Sequence, residues 1–489
     1  MTNRPSIDSD TICALATAPG GALGIIRISG PQAFSAVSAL CPLCCETIAA
    51  NTVHYTHIIT PTVPKDISAQ TVSKGILAQT VPYVAIPSQQ NIIDEALVTI
   101  FRSPHSYTGE NSVEISCHGS SYILNKVLEL LVQQGCRMAR PGEFTQRAYL
   151  NGKMDLSQAE AVADLIASSN KATHDIAMSQ LRGHFSSELA MLREQLLKLT
   201  SLLELELDFS DHEDLEFADR TELFSLAQEI DSRVMHLARS FETGQALKQG
   251  IPVAIVGKTN VGKSTLLNQL VGDDRAIVSD IHGTTRDTIE ETMEINGVQF
   301  RFIDTAGLRQ TSDEIEQIGI GRTYAAIQKA RIVLWLLDEV PTQDEITDIV
   351  SRTVGAASVP SRSLIPVWNK ADIISPCPLC CDIIAVPIPI SAKTGQNLDT
   401  LKAAIYAAAD IPSITSSDVI VTNARHYDAL LRAHDSLSRV LSGLGSRLSG
   451  DLIAEDLRIT LNHLAEITGG LITPQETLNN IFSHFCVGK

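Results

Sequence analysis

The chain has 489 residues, 44% of them hydrophobic and 4% aromatic, and a formal net charge of −18. That length suits roughly three domains, the apolar share excludes wholesale disorder, and the few aromatics argue against a surface of stacked bases. A globally acidic chain cannot use its whole field to hold nucleic acid, so any RNA contact needs a local basic patch or a partner.

No apolar run is long enough to span a membrane. The start, Met1 to Asp8, lacks the hydrophobic core of a secretory signal. A cytoplasmic location is expected, with the ten cysteines as thiols in a reducing compartment.

Residues 1–150 mix short β-type runs with turn signals. Residues 24–29, 96–101 and 112–116 read as strands, the first bounded by Gly20-Gly21 and Gly30-Pro31. Residues 123–134 read as a helix, which makes a compact α+β domain. Residues 41–90 read as long loops. Within them Cys41-Pro-Leu-Cys44-Cys45 recurs letter for letter as Cys377-Pro-Leu-Cys380-Cys381. Two such pairs can make a zinc site. These lie far apart in the chain with no flanking histidine, and they are read as loop or surface thiols.

From Ser157 the pattern turns helical. Leu189, Leu192, Leu196, Leu199 and Leu203 step alternately by three and four, which places them on one helix face as a bundle core. The acidic run from Asp208 to Glu216 breaks that pattern and reads as a solvated loop. Residues 250–411 alternate strands and helices in the βαβ manner. Residues 252–256 feed directly into a glycine-rich loop, 332–337 form an unbroken apolar run typical of a buried parallel strand, and 364–368 end at Asn369. Residues 415–489 are helical again. The expected architecture is multidomain α/β and α: an α+β domain (1–152), a helical part (153–249), an inserted Ras-like α/β domain with a mixed sheet (250–412), and a second helical part (413–489).

The inserted domain carries four pieces of one nucleotide site in order. The first is Gly257-Lys-Thr-Asn260-Val261-Gly262-Lys263-Ser264, followed by Thr265. Its glycines let several backbone N–H groups point at one anion, and the following helix adds its positive end. Lys263 reaches the outer phosphates, and the Ser264 hydroxyl is placed to ligate Mg²⁺. The second piece is Asp304-Thr305-Ala306-Gly307, whose carboxylate holds the metal through water while the Gly307 N–H senses the γ-phosphate. The third is Asn369-Lys370-Ala371-Asp372. The Asp372 carboxylate accepts two hydrogen bonds from guanine, a pair that adenine does not offer. The fourth is Ser391-Ala392-Lys393, for the guanine oxygen. Between the first two lies Gly283-Thr284-Thr285-Arg-Asp287, where a switch loop belongs, with Thr285 as second hydroxyl ligand to Mg²⁺. Leu308 stands where a Ras-like enzyme has its water-orienting glutamine. No arginine occupies an obvious finger position, so the transition-state charge needs another cation, which the Asn260 side-chain carbonyl could hold.

Gly283 to Asp287, Leu308 and Asn260 together resemble the potassium-activated GTPases. The end of the chain, Ile467-Thr-Gly-Gly-Leu and Ile481-Phe-Ser-His-Phe-Cys-Val-Gly-Lys489, resembles the MnmE (TrmE) family of tRNA modification GTPases. So do Tyr107-Thr-Gly-Glu110, Arg140-Pro-Gly-Glu-Phe-Thr145 and Leu150 to Glu160, so that the likeness covers nearly the whole chain. The resemblance implies a K⁺ held by Asn260, Ser279, Ile281 and Thr284, with Asp280, His282 and Gly283 completing the segment at the nucleotide. It implies that GTP brings two nucleotide domains together, the cation replacing an arginine finger, and that Glu316 orients the water. It places a tetrahydrofolate derivative at Arg27, Glu114, Lys153 and Lys489, in a domain that dimerises. Cations there suit folate's carboxylates, and an acid suits the amino-pterin ring. Cys486 is a nucleophile by family position, although no local base is visible beside it.

Three departures stand out: Val487 where the family usually has isoleucine, a long irregular segment from Cys41 to Gln90, and the Cys377 cluster. The implied activity is GTP hydrolysis coupled to wobble-uridine modification of tRNA. The implied partner is an FAD-carrying flavoprotein, MnmG, in a heterotetramer-type complex with the homodimer. The rival readings are a ribosome-assembly GTPase of the Era/Der type and a folate-dependent transferase regulated by GTP.

Overall fold

The computed structural model describes residues 10–60, 92–208, 220–272, 291–303, 326–353, 362–374, 386–411, 418–446, 448–470, 475–483, 485 and 488. The chain forms two compact units, Met1–Ala163 with Leu461–Lys489, and Asp164–Thr460.

The first unit is built on a six-stranded sheet. Its elements are β1 (Ile12–Leu15), β2 (Leu23–Ser29), α1 (Ala33–Leu40), β3 (Thr52–Ile59), β4 (Ile92–Phe101), β5 (Ser112–His118), α2 (Ser121–Gln133), β6 (Arg137–Met138), α3 (Glu143–Leu150) and the start of α4 (Leu156–Ala167). The strand order is β3-β4-β5-β2-β1-β6. All pairings are antiparallel except β1 with β6. Helices α1 and α2 cover one face, where Phe34, Val37, Leu40, Val127 and Leu131 meet Ile26, Ile28, Val98 and Ile115. Strand β3 lies inside the stretch read as long loops. Its inward positions include polar Thr56 beside Ile58, which blurs the alternation that marks a strand.

Cys41 and Cys45 correct the reading of loop or surface thiols. Both are fully buried in this core, and only Cys44 of the cluster is exposed. Burial pushes the Cys41 thiol up to about 12, so it behaves as a small hydrophobe rather than a nucleophile. Among the described residues no group of three or more His, Cys, Asp or Glu is arranged to hold a metal. The second cluster at Cys377 lies outside the described residues.

The second unit joins helices to an α/β sheet. Helices α5 (Lys171–Leu181), α6 (His184–Asp208) and α7 (Arg220–Gln249) come first. Then come β7 (Ile251–Val256), α8 (Lys263–Gly272), β8 (Glu291–Ile295), β9 (Val298–Phe302), β10 (Ile332–Leu337), α9 (Gln343–Thr353), β11 (Ser363–Trp368), β12 (Ile388–Pro389) and α10 (Leu398–Ala408). Helix α11 (Ala424–Gly445) and the part of α12 (Gly450–Thr468) up to Thr460 follow. The leucines at 189, 192, 196, 199 and 203 are all buried, as their helical spacing predicts. Helix α11 packs on α7: Phe241 stacks on Tyr427 with centroids 4.4 Å apart, and His434 Nδ1 lies 2.6 Å from Asp231. The sheet order is β12-β11-β10-β7-β9-β8, parallel except for the β8–β9 hairpin. All six residues of β10 are buried, which explains its unbroken apolar run.

The last helix, α13 (Gln475–Ser483), belongs to the first unit. There Leu478, Phe482 and Phe485 pack with Tyr149 and Leu156. Among the described residues no helix is long and apolar enough to cross a membrane.

Candidate nucleotide site

Parallel pairing of β7, β10 and β11 sets their carboxyl ends side by side, where open α/β sheets bind ligands. Gly257 leaves β7 at φ +152°, and a Cβ there would lie 2.5 Å from the Leu336 carbonyl oxygen. Gly262 has φ +100°, and its Cβ would collide with the Asn369 side-chain nitrogen. Both positions therefore need glycine for backbone shape and for space. Between them Asn260 is exposed at φ +61°. Val261 is buried and anchors the loop.

Lys263 opens α8. Its Nζ donates to the carbonyls of Gly257 at 2.6 Å and Lys258 at 2.8 Å. Burial pushes its ammonium down from the ordinary lysine range. Those carbonyls hold a desolvated cation at the mouth of the loop, where an anion would be a stronger partner. Ser264 and Thr265 are exposed in the first turn of α8.

On the other side, Asn369 leaves β11 and is buried. Its amide nitrogen donates to the Val261 carbonyl at 2.7 Å, and its oxygen accepts from the Ala392 N–H at 2.9 Å. One side chain thus joins three of the sequence motifs. Lys370, at φ +62°, places its Nζ 2.6 Å from Asp338 Oδ2. The Ala371 N–H donates to the Ile390 carbonyl at 3.0 Å, and Asp372 is exposed beside it. Ser391 and Ala392 are buried while Lys393 is exposed, and Ser391 bridges to Gln396.

The structure therefore brings together Asn260, Val261, Gly262, Lys263, Ser264, Thr265, Asn369, Lys370, Ala371, Asp372, Ser391, Ala392 and Lys393. Ser279 to Thr285, Asp304 to Gly307, Leu308, Glu316, Cys486 and Lys489 lie outside the described residues. Sequence reasoning missed Asp338, Glu339 and Lys258, which ion-pair around this crevice. The one available signal was an acidic pair directly after a buried strand.

The folate candidates lie in the first unit. Register places Arg27 on β2 opposite Glu114 on β5, with Nε to Oε1 at 2.9 Å. The Arg27 guanidinium sits 5.7 Å from the ring centroids of both Tyr107 and Phe144, and donates to the Gly488 carbonyl at 3.0 Å. Lys153 Nζ donates to the Pro104 carbonyl at 3.0 Å, on the loop that carries Tyr107. Glu110 of the same loop joins an ionic network that sequence reasoning did not find, buried at Arg147 and Glu143 and part-exposed at Asp10 and Arg137. Arg147 reaches Asp10 at 2.6 Å, Glu110 at 3.2 Å and Glu143 at 3.3 Å, and Arg137 reaches Glu143 at 2.6 Å. Burial pushes the Glu143 carboxyl up, but hydrogen bonds from Arg137 and the Arg140 N–H outweigh it and hold it at about 2.

Strand, glycine loop, helix and base motif, joined by Asn369, define a P-loop GTPase. Models of two domains match the chain: the MnmE helical domain over residues 156–486 and the GTP-binding protein TrmE N-terminus over residues 11–153. The tRNA modification GTPase MnmE of Phocaeicola vulgatus is 50% identical over 99% of both chains. Its namesake in Bacteroides fragilis is 49% identical over 99% of this chain and 100% of its own. The Porphyromonas gingivalis protein of the same name is 47% identical over the full length of both. The chain belongs to the MnmE (TrmE) family of tRNA modification GTPases.

Proposed function

We propose that the chain is a potassium-dependent GTP hydrolase acting on the wobble uridine of certain tRNAs. With an FAD-carrying MnmG-like flavoprotein it forms a 5-carboxymethylaminomethyl or aminomethyl group, a tetrahydrofolate derivative supplying the one-carbon unit. It acts as a homodimer, in a heterotetramer-type complex with that partner. Full-length similarity to relatives named for tRNA modification supports the pathway. The observation that carries the nucleotide half is the Asn369 side chain bonded to both Val261 and Ala392.

The loop amides from Asn260 to Thr265 and the Lys263 ammonium hold the β- and γ-phosphates. Asp372 selects guanine, with Asn369, Lys370 and Ala371 supporting it and Ser391, Ala392 and Lys393 closing the pocket. Ser264 and Thr285 would be the hydroxyl ligands for Mg²⁺, with Asp304, beside Thr305, Ala306 and Gly307, as the carboxylate that would hold it through water. The exposed Asn260 makes no hydrogen bond among the described residues, which suits it to hold K⁺ with Ser279, Ile281 and Thr284. Bound there, the cation supplies the positive charge that an arginine finger gives other GTPases. Glu316 orients the attacking water. The domain boundaries that fit this reading are 1–152, 153–249, 250–412 and 413–489, with hydrolysis timing an open-to-closed cycle.

In the first unit Arg27, in a half-buried ion pair with Glu114, lies over two aromatic rings, a fit for a flat ring bearing amino groups. Lys153 and Lys489 are the cations for its carboxylates, and Cys486 is the candidate nucleophile. Nucleoside analysis of tRNA from a deletion strain tests the whole reading. Loss of the 5-substituent on the wobble uridine is expected; normal modification with defective ribosome assembly would favour the Era/Der-type alternative.

A further inference from the structure

Strand β10 runs between the phosphate-loop strand β7 and the base strand β11. The two residues that follow it are both acidic, Asp338 and Glu339. The chain bends at both residues as it leaves the strand, and one side chain reaches each neighbour's loop. Asp338 Oδ2 lies 2.6 Å from Lys370 Nζ, in the base-recognition segment. Glu339 Oε1 lies 2.6 Å from Lys258 Nζ, in the phosphate loop. Glu345 adds a second carboxylate to Lys258 at 2.9 Å. Its own position is set by Thr342, since the Thr342 N–H donates to Glu345 Oε2 at 3.0 Å and the Glu345 N–H to Thr342 Oγ1 at 3.4 Å. That reciprocal pair is a capping box at the start of α9.

We propose that Asp338 and Glu339 are positioning residues for guanine-nucleotide binding, each fixing one lysine on its own side of the crevice. This rests on the nucleotide site proposed above. Without Asp338 the long Lys370 side chain samples many rotamers, and ordering it on binding costs conformational entropy. Glu339 and Glu345 draw the Lys258 side chain away from the loop mouth. They thereby hold the Lys258 carbonyl on which Lys263 Nζ rests at 2.8 Å, leaving Lys263 as the loop's phosphate-facing cation.

The experiment is equilibrium titration of the full-length protein with a fluorescent GDP, with unlabelled GDP and GMP as competitors. Asp338→Asn is expected to weaken GDP and GMP alike by about fivefold, the upper end for a part-exposed ion pair, and Asp338→Glu to recover most of it. The KM for GTP rises by the same factor while kcat at saturation holds. The double variant Glu339→Gln/Glu345→Gln acts on the phosphate side, and weakens GDP about threefold more than GMP. Wild-type affinity in Asp338→Asn, or a loss that Asp338→Glu does not recover, overturns the base-side role. Equal losses for GDP and GMP in the double variant overturn the phosphate-side role. Failure of every form, wild type included, to bind fluorescent GDP would instead sink the nucleotide site itself.

Discussion

The Asn369 side chain donates to the Val261 carbonyl at 2.7 Å, so the segment proposed to read the base is latched to the loop proposed to hold the phosphates. The same side chain accepts from Ala392, and Gly262 must lack a Cβ for it to fit. Asn369→Ala removes both bonds and leaves a buried N–H and C=O without partners. The expected loss is about 2 kcal/mol, roughly thirtyfold in GDP Kd. Titration with fluorescent GDP checks it, and an affinity within twofold of wild type would show that the latch is dispensable.

The exposed Asn260 leads to a cation prediction. Replacing K⁺ by Na⁺ is expected to slow GTP hydrolysis roughly a hundredfold, the scale of losing one preorganised charge-stabilising group. Asn260→Ala is expected to make the two salts equal. Identical wild-type rates in both salts would remove potassium from the mechanism.

In the proposed mechanism Glu316 takes the water-orienting role, because Leu308 cannot. Glu316→Ala is expected to keep GTP affinity and lose turnover by roughly a hundredfold or more. Single-turnover hydrolysis beside nucleotide titration separates the two; weak binding with normal turnover would mean the carboxylate is misassigned.

Helix α7 meets the segment before α11 with almost no clearance. A Cβ on Gly244 would overlap the Val421 carbonyl oxygen and crowd Ile420. Gly244→Leu forces these apart, and overpacking of this kind costs about 1–3 kcal/mol. A lowered Tm by circular dichroism is expected, and an unchanged Tm would show that the contact yields freely.

Glu143 is expected to make the first unit acid-sensitive. Its folded pKa is about 2, below an ordinary glutamate value of about 4.3. A depressed carboxylate contributes stability that is fully present above its unfolded pKa and is lost as pH falls through the folded one. The loss therefore falls between about pH 4.3 and pH 2. Pulse proteolysis with pepsin across that window, with cleavage sites mapped, is expected to show the first unit opening as pH drops. In Glu143→Gln the unit is weaker at neutral pH by about 3 kcal/mol, because Arg137 and Arg147 lose a buried charge partner. Its remaining stability changes less with acid.

The nucleotide loop was legible because its requirements are local. A strand, two glycines at positive φ and a helix start occupy one short run, so residue types alone report the backbone shape. The leucine stripe of α6 was legible for the same reason: its period is the helix period. Strand β3 was not, because an edge strand needs a clean alternation only on its covered face, and Val53 and Tyr55 face outward. Cys41 and Cys45, loop or surface thiols by sequence, are core residues, since a C-x-x-C-C string carries no mark of which side the core lies on.

Residue order by itself determined that this chain carries a GTPase's nucleotide motifs: the glycine loop and the Asn369 to Asp372 segment are each written within a few consecutive positions. Tertiary structure alone decided which charges meet. Asp338 finds Lys370 and Glu339 finds Lys258 because sheet order sets β10 between β7 and β11. Arg147 finds Asp10, and Arg27 finds Gly488, across long stretches of chain. A local motif constrains its own backbone. A distant pair exists only once burial of the apolar strands has chosen their neighbours.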